Sequence, residues 1–483
     1  MLLYNTLGRK KMKFTPIRPG KVHMYVCGIT AYDYCHIGHA RSAVVFDVLA
    51  RRLRHLGFDL LFVRNFTDID DKIIARANRD GRDWQEIART YIDAFHEDMD
   101  QLRVLRADLE PRATEYISQI QGLCLKLIAA DKAYPTPSGD VYFRVRSHAP
   151  YGKLSGRSLD DLLVGARIVP GEEKEDPLDF AVWKASKPGE PFWNSPWGKG
   201  RPGWHIECSA MSEPYLPLDI HGGGQDLIFP HHENEVAQSE AVCGCELATH
   251  WVHNGFVQIN AEKMSKSKGN FQTIRQILQS YLPETLRFFL LSKHYRSPID
   301  FTEQGLEEAE KALHRIYSSL LEARRLLQRT VWKKIALPED LPTEWTALQQ
   351  SFEDALDDDV NTASALGHIF AQARIINRLL ENKILRSSEN TRDLLEEFLD
   401  RATNWNVQLG LFGATPADFL NELRMMRAQR ASLDIVKVEN LLRERQKARE
   451  QKKFDDADSL RSQLQAIGVT VQDTPEGQTW DIQ

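Results

Sequence analysis

The run Met24-Tyr25-Val26-Cys27-Gly28-Ile29-Thr30-Ala31-Tyr32-Asp33-Tyr34-Cys35-His36-Ile37-Gly38-His39 decides how the chain folds. Val22 to Val26 is an apolar, strand-like run, and a polar turn follows it. Apolar residues at Val45, Phe46, Leu49, Leu53 and Leu56 then share one helical face, with Gly57 as a natural stop. Leu60-Leu61-Phe62-Val63 reads as a second strand. Strand, helix and strand predict a parallel crossover unit, right-handed by default. In such units ligands bind beyond the carboxyl ends of the strands, where a helix N-terminus offers N–H groups to phosphate. His36-Ile37-Gly38-His39 occupies that place, without a glycine fingerprint for dinucleotides. Taken alone, the tetrapeptide is a turn entering a helix. Its position adds a phosphate reading: Gly38 allows close approach to backbone, and two imidazoles about one turn apart can both donate to phosphate oxygens.

A length of 483 residues predicts several domains, and 42% hydrophobic residues suffice for real cores. With 27% charged residues and a formal charge of −6, no global positive field recruits nucleic acid, so any RNA contact must come from local basic patches. The six cysteines, Cys27, Cys35, Cys124, Cys208, Cys243 and Cys245, do not suggest a secreted disulfide scaffold; metal binding or packing in a reducing compartment fits better. Met1 to Asn5 lacks the apolar stretch of a leader, and no apolar run approaches the ~20 residues of a membrane span. A cytoplasmic protein is expected.

Along the chain, Asn65-Phe66-Thr67-Asp68-Ile69-Asp70-Asp71-Lys72 lies just past a strand end and can face the same cleft. Helical patterns run from Trp84 to Leu105 and from Ala113 to Ala133, broken at Pro111. From Tyr134 to about Trp197 the chain is rich in Gly, Pro and charge and reads as an insertion between two halves of the sheet. Leu218 to His221 reads as a strand ending in the glycine turn Gly222-Gly223-Gly224, Pro230 as a helix start, and Gly255 to Ile259 as a strand. The loop Lys263-Met264-Ser265-Lys266-Ser267-Lys268-Gly269-Asn270 follows. Thr273 to about Gly410 is helical in pattern, a linker spans Phe412 to Pro416, and the tail reads as a helix pair, a strand (Gly468 to Gln472) and a turn at Thr474 to Gly477. These features predict an α/β protein: a Rossmann-like parallel-sheet domain (1–133 and 200–260) with a connective insertion (134–199), then a lysine-loop region (261–308), a helical bundle (309–412) and a small C-terminal α+β domain (413–483).

Four groups of residues carry chemistry. Cys27, Cys208, His231 and Glu235 are potential metal ligands; the last two are four apart, on one face of a helix. Thiolate, imidazole and carboxylate together suit zinc, although any one of the cysteines is equally a small buried hydrophobe. Cys243-Gly244-Cys245 matches no strong zinc signature and stays unassigned. Lys263, Lys266 and Lys268 can clamp a polyphosphate as point charges, or form a solvated basic loop. The Gly222 to Gly224 turn can admit a base or ribose, with Asp226 as acceptor, or be a plain tight turn. Arg443 to Lys453 holds six basic and two acidic residues beside Phe454: a helix that tracks phosphates, or an ordinary exposed helix with i,i+4 pairs.

Together, His36-Ile37-Gly38-His39 and Lys263-Met264-Ser265-Lys266-Ser267 resemble the two signature motifs of class I aminoacyl-tRNA synthetases, in order and spacing. The segments Met24 to His39, Asn65 to Lys72, Pro111-Arg112-Ala113-Thr114-Glu115, Gly200 to Met211, Asp219 to Glu235 and Glu262 to Asn270 narrow the resemblance to the bacterial cysteinyl-tRNA synthetase family, over essentially the whole chain. The resemblance implies zinc, one ion per chain, on Cys27, Cys208, His231 and Glu235, and a catalytic set of His36, His39, Lys263 and Lys266. It implies ATP contacts at Gly38, Gly223, Gly224, Asp226 and Lys266, a cysteine pocket lined by Thr67, Trp204 and His221, and anticodon contacts at Arg449, Asp458 and Asp473. Two departures stand out: Phe454 where the family often has tryptophan, and a short stretch between Cys208 and Asp219.

The implied activity is ATP-dependent activation of cysteine and its transfer to tRNA(Cys), with magnesium carried by ATP. The chain is expected to act as a monomer. Cysteine and serine differ only in sulfur against oxygen, and a metal that binds thiolate separates them without a second sieve. The insertion is too short for a separate editing domain. Two rival readings are a cysteine ligase acting on an amino-sugar acceptor, which lacks the C-terminal RNA-binding region, and a non-catalytic zinc or RNA-binding paralogue, which has no need of the histidine and lysine motifs.

Overall fold

Lys21–Val26 (β1) and Asp59–Arg64 (β2) pair in parallel, from Lys21 opposite Asp59 to Val26 opposite Arg64, with Ile37–His55 (α1) crossing between them. The computed structural model describes residues 1–163, 173–259, 262–263, 271–328, 331–474 and 477–482. Two more parallel strands, Leu218–Gly224 (β3) and Ala248–Asn254 (β4), complete a four-stranded sheet in the order β4-β3-β1-β2. Glu233–Cys243 (α2) connects β3 to β4. The chain leaves β1 toward one edge and β3 toward the other, so the carboxyl ends of these neighbours diverge around a crevice, the place where open α/β sheets bind ligands.

α1 is buried on more than the stripe predicted from its periodicity. Val45, Phe46, Leu49 and Leu53 are buried, and so are Arg41, Asp47 and Arg52. The sheet covers one side of the helix, and the helices Pro283–Leu291 and Glu389–Leu409 cover another. The polar groups are matched: Asp47 accepts from Leu105 N at 2.9 Å and pairs with Arg51 and Arg287, and Arg52 donates to Gln408 at 2.7 Å. Leu56 departs from the predicted face and is 39% exposed, because the helix has ended and Gly57 turns the chain at φ +86°.

Three sequence expectations change. Gly222, Gly223 and Gly224 lie inside β3 and form no turn. A Cβ on Gly222 would stand 2.3 Å from the Phe46 ring of α1, so the glycine answers to helix–sheet distance. Pro230 does not start the α-helix: Phe229 is extended at φ −139°, and α2 begins at Glu233. The tail has a second strand, Gly477–Ile482, paired antiparallel with Val469–Thr474. Two further elements escaped the periodicity, the N-terminal hairpin Leu2–Asn5 with Lys10–Lys13 and the short strand Ile299–Phe301 beside Val257–Ile259.

The insertion carries a five-stranded antiparallel sheet formed by Ala133–Pro135, Val141–Phe143, Phe180–Ala185, Gly198–Pro202 and Trp193–Ser195. Long helices follow, Glu303–Leu327, Leu341–Asp357, Thr362–Glu381, Glu389–Leu409 and Pro416–Arg430. The C-terminal pair Ile435–Glu450 (α3) and Phe454–Ala466 (α4) packs with the terminal hairpin around Val438, Leu442, Leu464, Val469 and Val471. Among the described residues, no helix is long and apolar enough to cross a membrane.

Candidate active site and metal cluster

His36 caps α1. Its Nδ1 accepts from Gly38 N at 3.1 Å and from His39 N at 3.4 Å, while His39 Nδ1 accepts from His36 N at 3.3 Å. The rings stack at 3.7 Å and 15°. A neutral imidazole that accepts at Nδ1 carries its proton on Nε2, so this reciprocal cap makes each ring a donor at its outer edge. Both rings and Gly38 line a cleft of about 350 Å³, together with Cys27, Trp204, Gly224, Asp226, Lys72 and Asn254.

Cys27, which lines that cleft, also belongs to a buried cluster. Cys27 follows β1, Cys208 lies on the helix Trp204–Ser212, and His231 and Glu235 flank the start of α2. Their ligating atoms all lie within 4.8 Å of one another. The two sulfurs are 3.7 Å apart, Cys27 Sγ is 3.3 Å from Glu235 Oε1, and His231 Nε2 is 3.0 Å from the same oxygen. A second grouping keeps Cys27 and Glu235 and substitutes His221 and His232 for the other pair. Gly28 is required beside Cys27, because Asn65 O would lie 1.6 Å from a Cβ there while Asn65 Oδ1 accepts Gly28 N at 2.9 Å.

The cluster is charged by its own geometry. The hydrogen bond from Cys27 lowers the Cys208 thiol to about 6, whereas burial pushes Cys27 well up. Burial works against the charged form of His231, but Glu235 and Cys208 overcome it and raise its pKa to about 10. Glu235 is held well below its ordinary range by His221 and His231, against burial. Surrounding imidazoles fix the orientation: His205 Nδ1 meets His231 Nδ1 at 2.9 Å, and His221 Nε2 meets Glu235 Oε2 at 2.8 Å.

The remaining predicted residues fall in several places. Trp204 lines the cleft and stacks on His231 at 4.3 Å. Thr67 is buried and donates to Glu207 Oε2 at 2.8 Å, where burial pushes the Glu207 carboxyl well up. His221 is fully buried behind the cluster, stacked on Trp251 at 4.7 Å. Gly223 packs against Leu227 and His232. Lys263 belongs to a short strand, Glu262–Lys263, and Lys266 lies outside the described residues. In the C-terminal region, Asp473 pairs with Arg449 and, at 2.9 Å, with Arg445; Asp458 lies on α4, and Phe454 is 64% exposed.

Sequence reasoning did not single out Asn65, Glu207, His205, His232 or Arg41. Glu207 and His205 sit within the segment Gly200 to Met211, so their neighbourhood with Cys208 was the available signal. Arg41 carried no signal beyond its place two residues after His39.

Comparison with known proteins fits this geometry. Residues 13–311 match the family described as tRNA synthetases class I (C) catalytic domain, residues 351–413 a DALR domain, and residues 436–480 a cysteinyl-tRNA ligase anticodon binding domain. The solved structure of Mycobacterium tuberculosis methionyl-tRNA synthetase in complex with methionyl-adenylate resembles the fold at a TM-score of 0.63 and 16% identity, covering 81% of this chain and 92% of that one. A putative arginyl tRNA synthetase from Campylobacter jejuni does so at 0.54 and 16% identity, covering 82% and 94%. The parallel sheet and its helical C-terminal half are those of a class I aminoacyl-tRNA synthetase.

Relatives named cysteine--tRNA ligase align along the full length of both chains. The protein of Desulfovibrio desulfuricans (strain ATCC 27774) is 70% identical over 483 residues, covering 100% of each chain. That of Nitratidesulfovibrio vulgaris (strain Miyazaki F) is 63% identical and that of Lawsonia intracellularis 56%, each also covering 100% of both chains. The chain belongs to the cysteine--tRNA ligase family. The match over residues 436–480 disfavours the amino-sugar ligase reading, which has no such region.

Proposed function

We propose that the cleft activates L-cysteine with ATP and passes it to tRNA(Cys), and that the buried cluster holds one zinc ion that selects the substrate by its thiol. The observation that carries this is the shared cleft, which Cys27, His36, Gly38 and His39 all line. Two thiols, an imidazole and a carboxylate are a zinc donor set. Two sulfurs each about 2.3 Å from a tetrahedral zinc stand about 3.8 Å apart, and the observed 3.7 Å agrees. The grouping through His221 and His232 offers one sulfur and fits zinc less well. When bound, zinc supplies a soft acceptor for a thiolate that a serine hydroxyl does not match.

The chain's own groups do the rest. His36 and His39 present Nε2–H donors at the helix start to the phosphates of ATP, and Gly38 leaves room for them. Gly224 and Asp226 line the same cleft and suit the adenosine side, with Gly223 adjoining. Lys263 and Lys266 suit the leaving pyrophosphate, and magnesium enters with ATP. Trp204, Thr67 and His221 shape and orient the amino-acid side. A substrate carboxylate oxygen bonds to the α-phosphorus as the bond to pyrophosphate breaks; the terminal ribose hydroxyl of tRNA then takes the acyl group and AMP leaves. Catalysis by alignment and charge stabilisation needs no enzyme nucleophile. Arg449, Asp458 and Asp473 suit the anticodon, on a face rich in lysine and arginine. We read the chain as a cytoplasmic monomer whose units follow the divisions given above.

Cysteine-dependent ATP–pyrophosphate exchange tests the reading. Exchange is expected with cysteine, not with serine, and to collapse in Lys266→Ala. Equal exchange with serine overturns the thiol-selection argument; cysteine exchange without charging of tRNA overturns the acceptor assignment.

A further inference from the structure

Cys243-Gly244-Cys245 stands apart from the site described above. Cys35 and Cys124 are buried, and Cys27 and Cys208 belong to the cluster, whereas Cys243 is exposed and Cys245 half-buried. Cys243 is the last residue of α2, and Gly244 ends the helix in the left-handed region at φ +67°. That reversal lays the first sulfur across the backbone of the second cysteine. Cys243 Sγ accepts from Cys245 N at 3.1 Å, and its thiol donates to Cys245 O at 2.9 Å.

We propose that Cys243 and Cys245 form a surface dithiol that closes to an intramolecular disulfide by exchange with small disulfides. Two consecutive Cα steps of about 3.8 Å span at most about 7.6 Å, and a left-handed residue between them shortens the span toward the roughly 4.4–6.8 Å that a disulfide needs. The two sulfurs differ in role. Cys243 is the accessible one, exposed where Cys245 is half-buried, so it is the sulfur that a small disulfide meets first. Burial, then the neighbouring Cys243, pushes the Cys245 thiol up to about 12, so Cys245 ionises less readily and acts second.

The exchange balances. The Cys243 thiolate bonds to one sulfur of the small disulfide, whose S–S bond breaks and releases one thiolate. Cys245 gives up its proton and bonds to Cys243 sulfur, releasing the second thiolate. Two electrons pass from the protein dithiol to the small disulfide, which leaves as two thiols.

The full-length, zinc-loaded protein is incubated with excess oxidised glutathione, and separately with cystine. It is then acid-quenched, alkylated and mapped by mass spectrometry. The peptide containing residues 243–245 is expected to lose both alkylatable thiols and two hydrogens of mass, reversibly with reductant. Cys245→Ser is expected to accumulate a glutathione mixed disulfide at Cys243, and Cys243→Ser to react at least about tenfold more slowly. The proposal is overturned if both thiols stay alkylatable, if the unaltered chain stops at the mixed disulfide, if the disulfide joins two chains, or if thiol loss falls on Cys27 and Cys208 instead.

Discussion

The buried guanidinium of Arg41 donates to the carbonyl oxygen of Tyr295 at 3.1 Å. It also donates to Phe256 O at 3.2 Å, to His294 O at 3.3 Å and to Ser297 O, and no carboxylate is among these partners. Burial alone lowers its pKa to about 10. Arg41 follows His39 by two residues on α1, and Phe256 lines the cleft on the strand side that leads to Lys263. One side chain thus ties the helix that starts at the histidines to the segment that enters the lysine loop.

Arg41→Met leaves these carbonyls without their donor. A loss of about 2–4 kcal/mol in unfolding free energy is expected, since buried groups left unsatisfied cost roughly 1–3 kcal/mol each and relax in part. Urea unfolding measures it. In the fraction that stays folded, tRNA-independent exchange is expected to lose kcat more than KM for cysteine. A variant as stable and as active as the unaltered chain contradicts the role given to Arg41.

His221 holds Glu235 Oε2 from behind the cluster. Partners of this kind tune metal ligands, and removing one costs about 10–100-fold in metal affinity. His221→Ala is expected to surrender zinc to a chelator at correspondingly lower chelator concentration, read as metal content after dialysis. Unchanged retention would remove His221 from the proposed metal site.

Glu284 gives a pH dependence of stability. Its carboxylate accepts from Tyr317 Oη at 2.9 Å and from Phe412 N at 2.6 Å, with Arg103 at 3.3 Å. Burial nevertheless pushes its pKa above the ordinary 4.5, and Arg103 opposes only in part. The folded chain therefore binds this proton more tightly than the unfolded chain. The stability it contributes is full below pH 4.5 and is lost as pH rises through the folded pKa, with a slope of at most about 1.4 kcal/mol per pH unit. Glu284→Gln is expected to flatten that part of the profile in urea titrations at a series of pH values. An identical profile in the variant would show that Glu284 does not titrate as described.

Arg449 on α3 pairs with Asp473 of the terminal hairpin, next to the pair of Arg445 with the same carboxylate. If this face reads the anticodon, Arg449→Ala costs about 1–3 kcal/mol of tRNA binding. Charging of tRNA is then expected to lose roughly 5–160-fold in kcat/KM, far more than tRNA-independent exchange. Equal losses in both assays would place the defect in the catalytic half.

Much of the fold was legible because it rests on local periodicity. The strand, helix and strand of residues 22–63 follow from repeats of two and of 3.6 residues, whereas His231 precedes the α-helix that carries Glu235. Short elements were not: Ile299–Phe301 and Gly477–Ile482 are too brief or too polar to show a period, and they exist because partner strands supply their hydrogen bonds.

By itself, then, the sequence determined the class of sheet, the position of His36 and His39 at a helix start, and the kinds of ligand available. Only the tertiary structure decided which of them meet. Cys27 and Cys208 are 181 residues apart in sequence and 3.7 Å apart in space. Gly222 is glycine because Phe46 of α1 presses on β3, and Arg41 is buried because carbonyls from residues 256 to 297 converge on it. The physical reason is the same in each case: periodicity is set by neighbours along the chain, whereas a coordination sphere and a packing distance are set by where separate segments dock.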